Sequence, residues 1–243
     1  MANLVPFVQI TAQDTLTATV DQKHALGTYA ETADGRGFRY AKVGASNLVA
    51  GNLLQASAQD TAHQNLTPVA AAIGATQVSI ALGASAAAAN LYAEGFAIVD
   101  TTPDLGSVYQ IASHPAILSS GTGVFTLKDP GGLRVAWTTS SRITLQRNKY
   151  AGVIQTPVTT LTGVVAGVAP AAHTAAYYGW IQTRGIAGVL VKGTPGVGLC
   201  VVAPATAAGA VVVDGAAAAT PPVGMMCVTG QDGLVQPVNL TIE

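Results

Sequence analysis

The side chains best suited to acid–base, nucleophilic or metal chemistry are twelve acids, four histidines and two cysteines. Most of the acids sit where turns need them. Asp34 precedes Gly35, Asp214 precedes Gly215, Asp232 precedes Gly233, and Asp129 opens Asp129-Pro130-Gly131-Gly132. In such pairs the carboxylate caps local backbone and the glycine supplies the turn conformation. Asp100 and Asp104 flank Pro103 and also read as a turn, so few acids remain for a glycosidase-type carboxylate pair. His24, His63, His114 and His173 stand singly, without HxH, HExxH or HxxxH spacing, and read as surface or core histidines. Cys200 and Cys227 form no CxxC; in a cytoplasmic product they are expected as two reduced, buried thiols. No GxSxG elbow, P-loop or GxGxxG fingerprint occurs. The sequence therefore predicts no catalytic site, no metal site and no cofactor.

The elements around these residues are expected to be strands. Period-two alternation recurs at 15–20 (Leu16, Ala18, Val20), at 77–82 (Val78, Ile80, Leu82), at Phe125 and Leu127, and at Ile143 and Leu145. Residues 177–183 and Val211 to Val213 add aromatic and β-branched runs. Asp34-Gly35 between 28–32 and 38–43 is the strongest hairpin signal, with Phe38 and Tyr40 facing the core and Arg39 outward. Residues 84–93, which lack a clear amphipathic stripe, and 52–66, which could equally begin as a strand, are the only helix candidates. Short Gly-, Pro- and Asp-containing breaks favour an all-β protein of antiparallel sandwich or barrel-like modules with little helix.

Composition bounds the partners. Hydrophobic residues make up 49% of the chain, but charged residues only 9% and aromatics 5%; an ordinary domain is roughly a quarter charged. A net charge of −1 offers no basic field to nucleic acid. The loose group Arg142, Arg147 and Lys149 reads as a solvated strand face and turn. No run of 18 apolar residues occurs, and MANLVPFVQI lacks a basic n-region and apolar stretch, so neither membrane nor secretion is expected. From 150 onward the formally charged residues are Arg184, Lys192, Asp214, Asp232 and Glu243, and 61–93 carries none. Such stretches are expected to be core or protein–protein interface. A Pro- and Gly-containing stretch at 156–172 is expected to link an N-terminal β-rich domain (1–155) to a small C-terminal β module (173–243).

An ordered series of short pieces carries a resemblance. It comprises Leu26-Gly27-Thr28, Asp34-Gly35-Arg36, Phe38-Arg39-Tyr40, Gly44 and Ala50-Gly51, then Tyr92-Ala93-Glu94-Gly95, 106–111 with Tyr109, and His114. Leu127-Lys128-Asp129-Pro130, Asn148-Lys149-Tyr150 and 179–185, with Gly179, Trp180 and Gly185, complete it. This order resembles the head decoration, or cement, proteins of tailed bacteriophages. The resemblance implies a structural virion protein on the outside of the expanded capsid, made in the host cytoplasm, that holds the shell against internal DNA pressure. The implied partners are the major capsid protein and further copies of the chain, by analogy a trimer. The alternative is another virion component, such as a head fibre, tail or host-glycan adhesion protein.

Overall fold

The computed structural model describes residues 7–203, 206–215 and 222–243. The opening six residues, read above for a leader, lie outside them. Strand occupies 39% of the chain and helix 3%, so the expected all-β class holds. In chain order the first strands are β1 (Val8–Gln9), β2 (Tyr29–Glu31), β3 (Gly37–Val43) and β4 (Leu53–Gln55), with a single short helix, α1 (Ala12–Thr15), after β1. Then follow β5 (Gln77–Ala81), β6 (Phe96–Val99), β7 (Val108–Ser113), β8 (Thr122–Leu127) and β9 (Ile143–Gln146). The last group is β10 (Ala151–Gln155), β11 (Val165–Val168), β12 (Tyr178–Leu190), β13 (Cys200–Val202), β14 (Val212–Val213), β15 (Pro222–Met226) and β16 (Val235–Thr241).

The chain divides into two compact units, one of Met1–Ala58 with Lys149–Glu243, the other of Gln59–Asn148. The boundary expected at 156–172 is therefore replaced by an insertion. The supposed linker contains β11, which pairs with β4 and β12. Its lack of charge reflects a buried strand, for Ala166, Gly167 and Val168 are covered. The insertion leaves after β4 and returns at β10, antiparallel neighbours in which Gln155 faces Leu54. Ser57 Oγ donates to the Ala151 carbonyl (3.3 Å), so the two ends of the insertion meet.

In the first unit, pairing runs β3–β10–β4–β11–β12 and returns to β3, closing a small barrel. Ala41, Val43, Leu54, Val153, Ala166 and Ile181 fill it. Small side chains such as Ala41, Ala166 and Ala169 suit so narrow an interior. The second half of β12 continues through β16, β15, β13 and β14, and Val211 bridges back to Val191. That second ring encloses Ala187, Val189, Val201, Val223, Met226 and Val238. Gly185 (φ +80°) stands where β12 passes from β3 to β16, a conformation a side chain would strain.

The inserted unit pairs in the order β5–β8–β7–β6–β9. Leu66 bridges Ile143 on β9 and Pro68 bridges Ile80 on β5, which closes this sheet as well. Val78, Ile80, Phe125, Leu127, Ile143 and Leu145 are buried in it as their alternation predicts.

The Asp34-Gly35 hairpin forms between β2 and β3 as expected, with Phe38 and Tyr40 buried. Three expectations are corrected. Residues 15–20 are no strand: a Thr11–Asp14 capping box starts α1, Leu16 and Val20 are exposed, and only Thr19 bridges a strand residue, Tyr178. Residues 84–93 form turns around a bridge at Ala87. Of the two readings open for 52–66, the strand start holds: it carries β4, followed by a 3₁₀ turn at Thr61–His63. The thiols are free but not buried, Cys200 being exposed and Cys227 half-exposed. Cys200 lies on β13 and Cys227 just after β15, and their neighbours Val201 and Met226 are buried in the second ring.

Candidate functional site

Tertiary pairing explains most of the motif residues. Tyr40 on β3 stands directly opposite Trp180 on β12, with ring centroids 5.0 Å apart. His24 closes on both rings at 5.1 and 5.2 Å, and Tyr178 stacks on Tyr40 at 6.1 Å. The segment carrying β1 lies across them, with Ile10 in the same cluster. A cleft of about 320 Å³ opens beside these rings, between Gln9, Asp14 and Lys23. Its two largest rings are packed edge-on and covered, Trp180 being 5% exposed and Tyr40 3%, so neither offers a free face for stacking a sugar. Asp14 is occupied by the Thr11 N–H (2.8 Å) and hydroxyl (2.7 Å), which hold its carboxyl below the usual range.

The glycines of the series pair with its larger members. Gly27 lies under the Tyr150 ring, where a Cβ would come within 3.0 Å of Cδ2; Gly179 faces His173, with Nε2 3.1 Å from the same imagined atom. Gly95 backs onto the Asn148 amide, and Asn148 Nδ2 donates to the Glu94 carbonyl (3.0 Å). Gly185 abuts Arg36. Gly51 donates to the Ala169 carbonyl and accepts from Leu190 N–H, both at 2.8 Å, joining β12 to the loop before β4. Pieces far apart in sequence thus meet as partners in packing.

Five further acids are committed as well. Asp34 accepts from Thr32 Oγ1 (2.5 Å) and Arg36 Nε (2.8 Å), which lower its pKa, the threonine contact most. Asp129 accepts from Gly131 N–H (2.8 Å), Asp232 from Gly193 N–H (2.7 Å) and Lys192 Nζ (2.8 Å), and Asp100 from Thr144 Oγ1 (2.7 Å). Asp104 accepts from Ser107 Oγ, Tyr109 OH and Trp137 Nε1 at 2.5, 2.7 and 3.1 Å. The Tyr109 hydroxyl in turn accepts from Arg134 N–H (3.0 Å). The Asp100 and Asp104 carboxylates thus hold up the loop after β6, with their acceptor capacity turned to protein donors.

Three of the four histidines are core residues: His63, His114 and His173 are 0%, 4% and 2% exposed. His114 donates from Nδ1 to the Pro115 carbonyl (2.7 Å) and accepts Tyr92 N–H at Nε2 (3.0 Å). Burial lowers its pKa, as it does for His173. His63 Nε2 donates to the Ser85 carbonyl (3.0 Å), and Nδ1 meets the Tyr92 hydroxyl (2.5 Å). Desolvation pushes that phenol up to about 12. Among the described residues no three or more His, Cys, Asp or Glu side chains converge to hold a metal, and no helix is long and apolar enough to cross a membrane.

One cluster escaped the sequence reading. The Glu243 carboxylate accepts from Arg39 Nε (2.5 Å) and the Tyr150 hydroxyl, with Lys149 Nζ at 3.5 Å. No local spacing connects these residues, so sequence carries no signal for it. Burial raises the Glu243 pKa, but the Tyr150 hydroxyl and the two cations outweigh it and the net shift is downward. A carboxylate with a depressed folded pKa stabilises above its unfolded value, and that stability is lost as pH falls through the folded value. Glu243→Gln is therefore expected to lower the urea midpoint of the first unit at neutral pH. The gap to the parent should narrow as pH drops below about 4.3. A gap that stayed constant down to strong acid would show that the charge contributes nothing.

No family model matches the chain, and no curated protein or solved structure matches it either.

Proposed function

We propose that this chain is a structural virion protein of a tailed phage, a decoration protein that binds the outside of the expanded capsid and stabilises it. The reading rests on one structural observation beside the resemblance. The five strands of the inserted unit, β5 to β9, contain no formally charged residue, yet Phe96, Val108 and Val124 on them are 36%, 49% and 42% exposed. The second ring of the first unit is similar. Its strands β13 to β16 are also uncharged, and Met225 and Val235 are 43% and 52% exposed.

A wall of this kind is poorly suited to water and well suited to contact with a fixed protein surface, where an unpaired charge would be costly. A protein that binds only the expanded shell stabilises it by mass action. Repetition over a symmetric lattice, with self-association at local axes, multiplies the weak individual contacts. The arrangement needs no chemistry.

The deciding measurement is the copy number in purified particles of the phage that encodes the chain, by quantitative mass spectrometry against the major capsid protein. A fixed ratio near lattice stoichiometry is expected. A handful of copies would move the role to a vertex, fibre or tail, and absence from the particle would sink the proposal. Val108→Glu with Val124→Glu is expected to reduce retention on the shell while the free protein stays folded.

A further inference from the structure

Sulfur is scarce in this chain, which has two cysteines and three methionines. Three of those five sulfurs occupy one small patch of the first unit. Cys200 on β13 is directly paired with Met225 on β15. Cys227 follows two residues later, just beyond the end of β15, and its N–H donates to the Pro237 carbonyl (3.0 Å), so the pairing with β16 reaches it. Burial shows which way these residues face. Val201 and Met226 are buried in the second ring, while their neighbours Cys200 and Met225 are exposed, Met225 by 43%, and Cys227, on the other side of Met226, is partly exposed. The alternation breaks only at the start of β15, where the pairing with β13 shifts register and Val223 and Gly224 are both buried. All three sulfur side chains therefore stand on the outer face.

Strand geometry then selects the chemistry. Directly opposed residues such as Cys200 and Met225 have Cβ atoms about 4.5–5.5 Å apart, and diagonal neighbours such as Cys200 and Cys227 lie at about 7–8 Å. A disulfide needs Cβ atoms about 3.5–4.5 Å apart and Cα atoms within about 7 Å, which a diagonal pair on a regular ladder does not offer. An ion seated between the two sulfurs spans a longer gap. Thiolate and thioether are soft ligands that select Cu(I) over hard cations, and neither carboxylate nor imidazole joins them in a three-residue group.

We propose that Cys200, Met225 and Cys227 form a surface site for a soft d¹⁰ cation, with Cu(I) as the biological candidate. The two thiols give up their protons to solvent as the ion binds, each sulfur forms one bond to the metal, and no electron changes hands. Met225, placed between them along the face, supplies a third, neutral sulfur. The bound ion ties β13 to β15, the strands that carry one side of the second ring.

The test is anaerobic titration of the reduced full-length protein with Cu(I) against a chromophoric Cu(I) chelator, with native mass spectrometry for stoichiometry. One ion per chain is expected. Cys200→Ser and Cys227→Ser should each weaken binding by about 10²-fold or more, because each removes the chelating partner of the other thiol. Met225→Leu should weaken it less, with X-ray absorption changing from three sulfur neighbours to two. Far-UV circular dichroism checks that each variant is folded. Two independent ions per chain, or undiminished affinity in Cys227→Ser, would overturn the site. So would an intramolecular Cys200–Cys227 disulfide on exposure to air, since it would show the thiols closer than the ladder places them.

Discussion

Replacing Trp137 with alanine is expected to unfold the inserted barrel while the first unit keeps its stability. Trp137 is 1% exposed, its backbone bridges Ala71, its ring meets Tyr109 edge-on at 5.7 Å, and its indole N–H reaches Asp104. Truncating a buried tryptophan costs about 3–5 kcal/mol. Here the loss includes one of three donors to a carboxylate that also holds Ser107 and Tyr109. A small barrel with a stability of about 5–15 kcal/mol has little left after that. The chain offers a convenient reporter, because its other tryptophan, Trp180, lies in the first unit. In Trp137→Ala the amides of residues 59–148 should lose exchange protection, while the denaturant midpoint followed by Trp180 emission stays near its parental value. Equal loss in both would mean that the two units do not unfold separately.

Gly224→Ala is expected to have a comparable effect on the second ring of the first unit. Gly224 lies on β15 opposite Leu240 of β16. A Cβ there would run into the Asn239 carbonyl group, with the carbon at 2.9 Å and the Leu240 Cα at 3.0 Å. These are backbone atoms of the paired strand, so no side-chain rotation relieves the clash and the ladder must part. The buried Val223, Met226, Val238 and Leu240 on those two strands would lose their alignment together. The expected cost is more than about 3 kcal/mol, in the range reserved for disrupted cores and forced backbone shifts. Hydrogen exchange should locate the loss in β13 to β16, with β5 to β9 unchanged. A normal midpoint for Gly224→Ala would show that β15 and β16 are not held at this spacing.

Local chemistry was legible wherever neighbours in sequence are also neighbours in space. The Asp34-Gly35 hairpin, the buried alternation of Val78 with Ile80 and of Ile143 with Leu145, and the turn role of Asp129 follow from two to six consecutive residues, whereas the Asp232 carboxylate reaches across to Lys192 and Gly193. The alternation at 15–20 misled because Thr11 and Asp14, just upstream, cap a helix turn that ends at Thr15, with Leu16 as its C-cap. The 156–172 stretch misled because absence of charge marks a buried strand as readily as a connector, and only its pairing with β4 and β12 separates the two.

The sequence by itself determined the all-β class, since short alternating runs broken by Gly, Pro and Asp leave no long amphipathic face for helices. It also determined the turn roles of Asp34 and Asp129, whose carboxylates accept from residues two places away. Only the tertiary structure decided that 59–148 is an insertion, that β12 is shared by two closed rings, and that Glu243 gathers Arg39, Lys149 and Tyr150. It likewise decided that Cys200, Met225 and Cys227 share one face. The physical reason is the same in each case: strand pairing is non-local, and the register that brings two distant segments together is set by the whole core they must jointly fill.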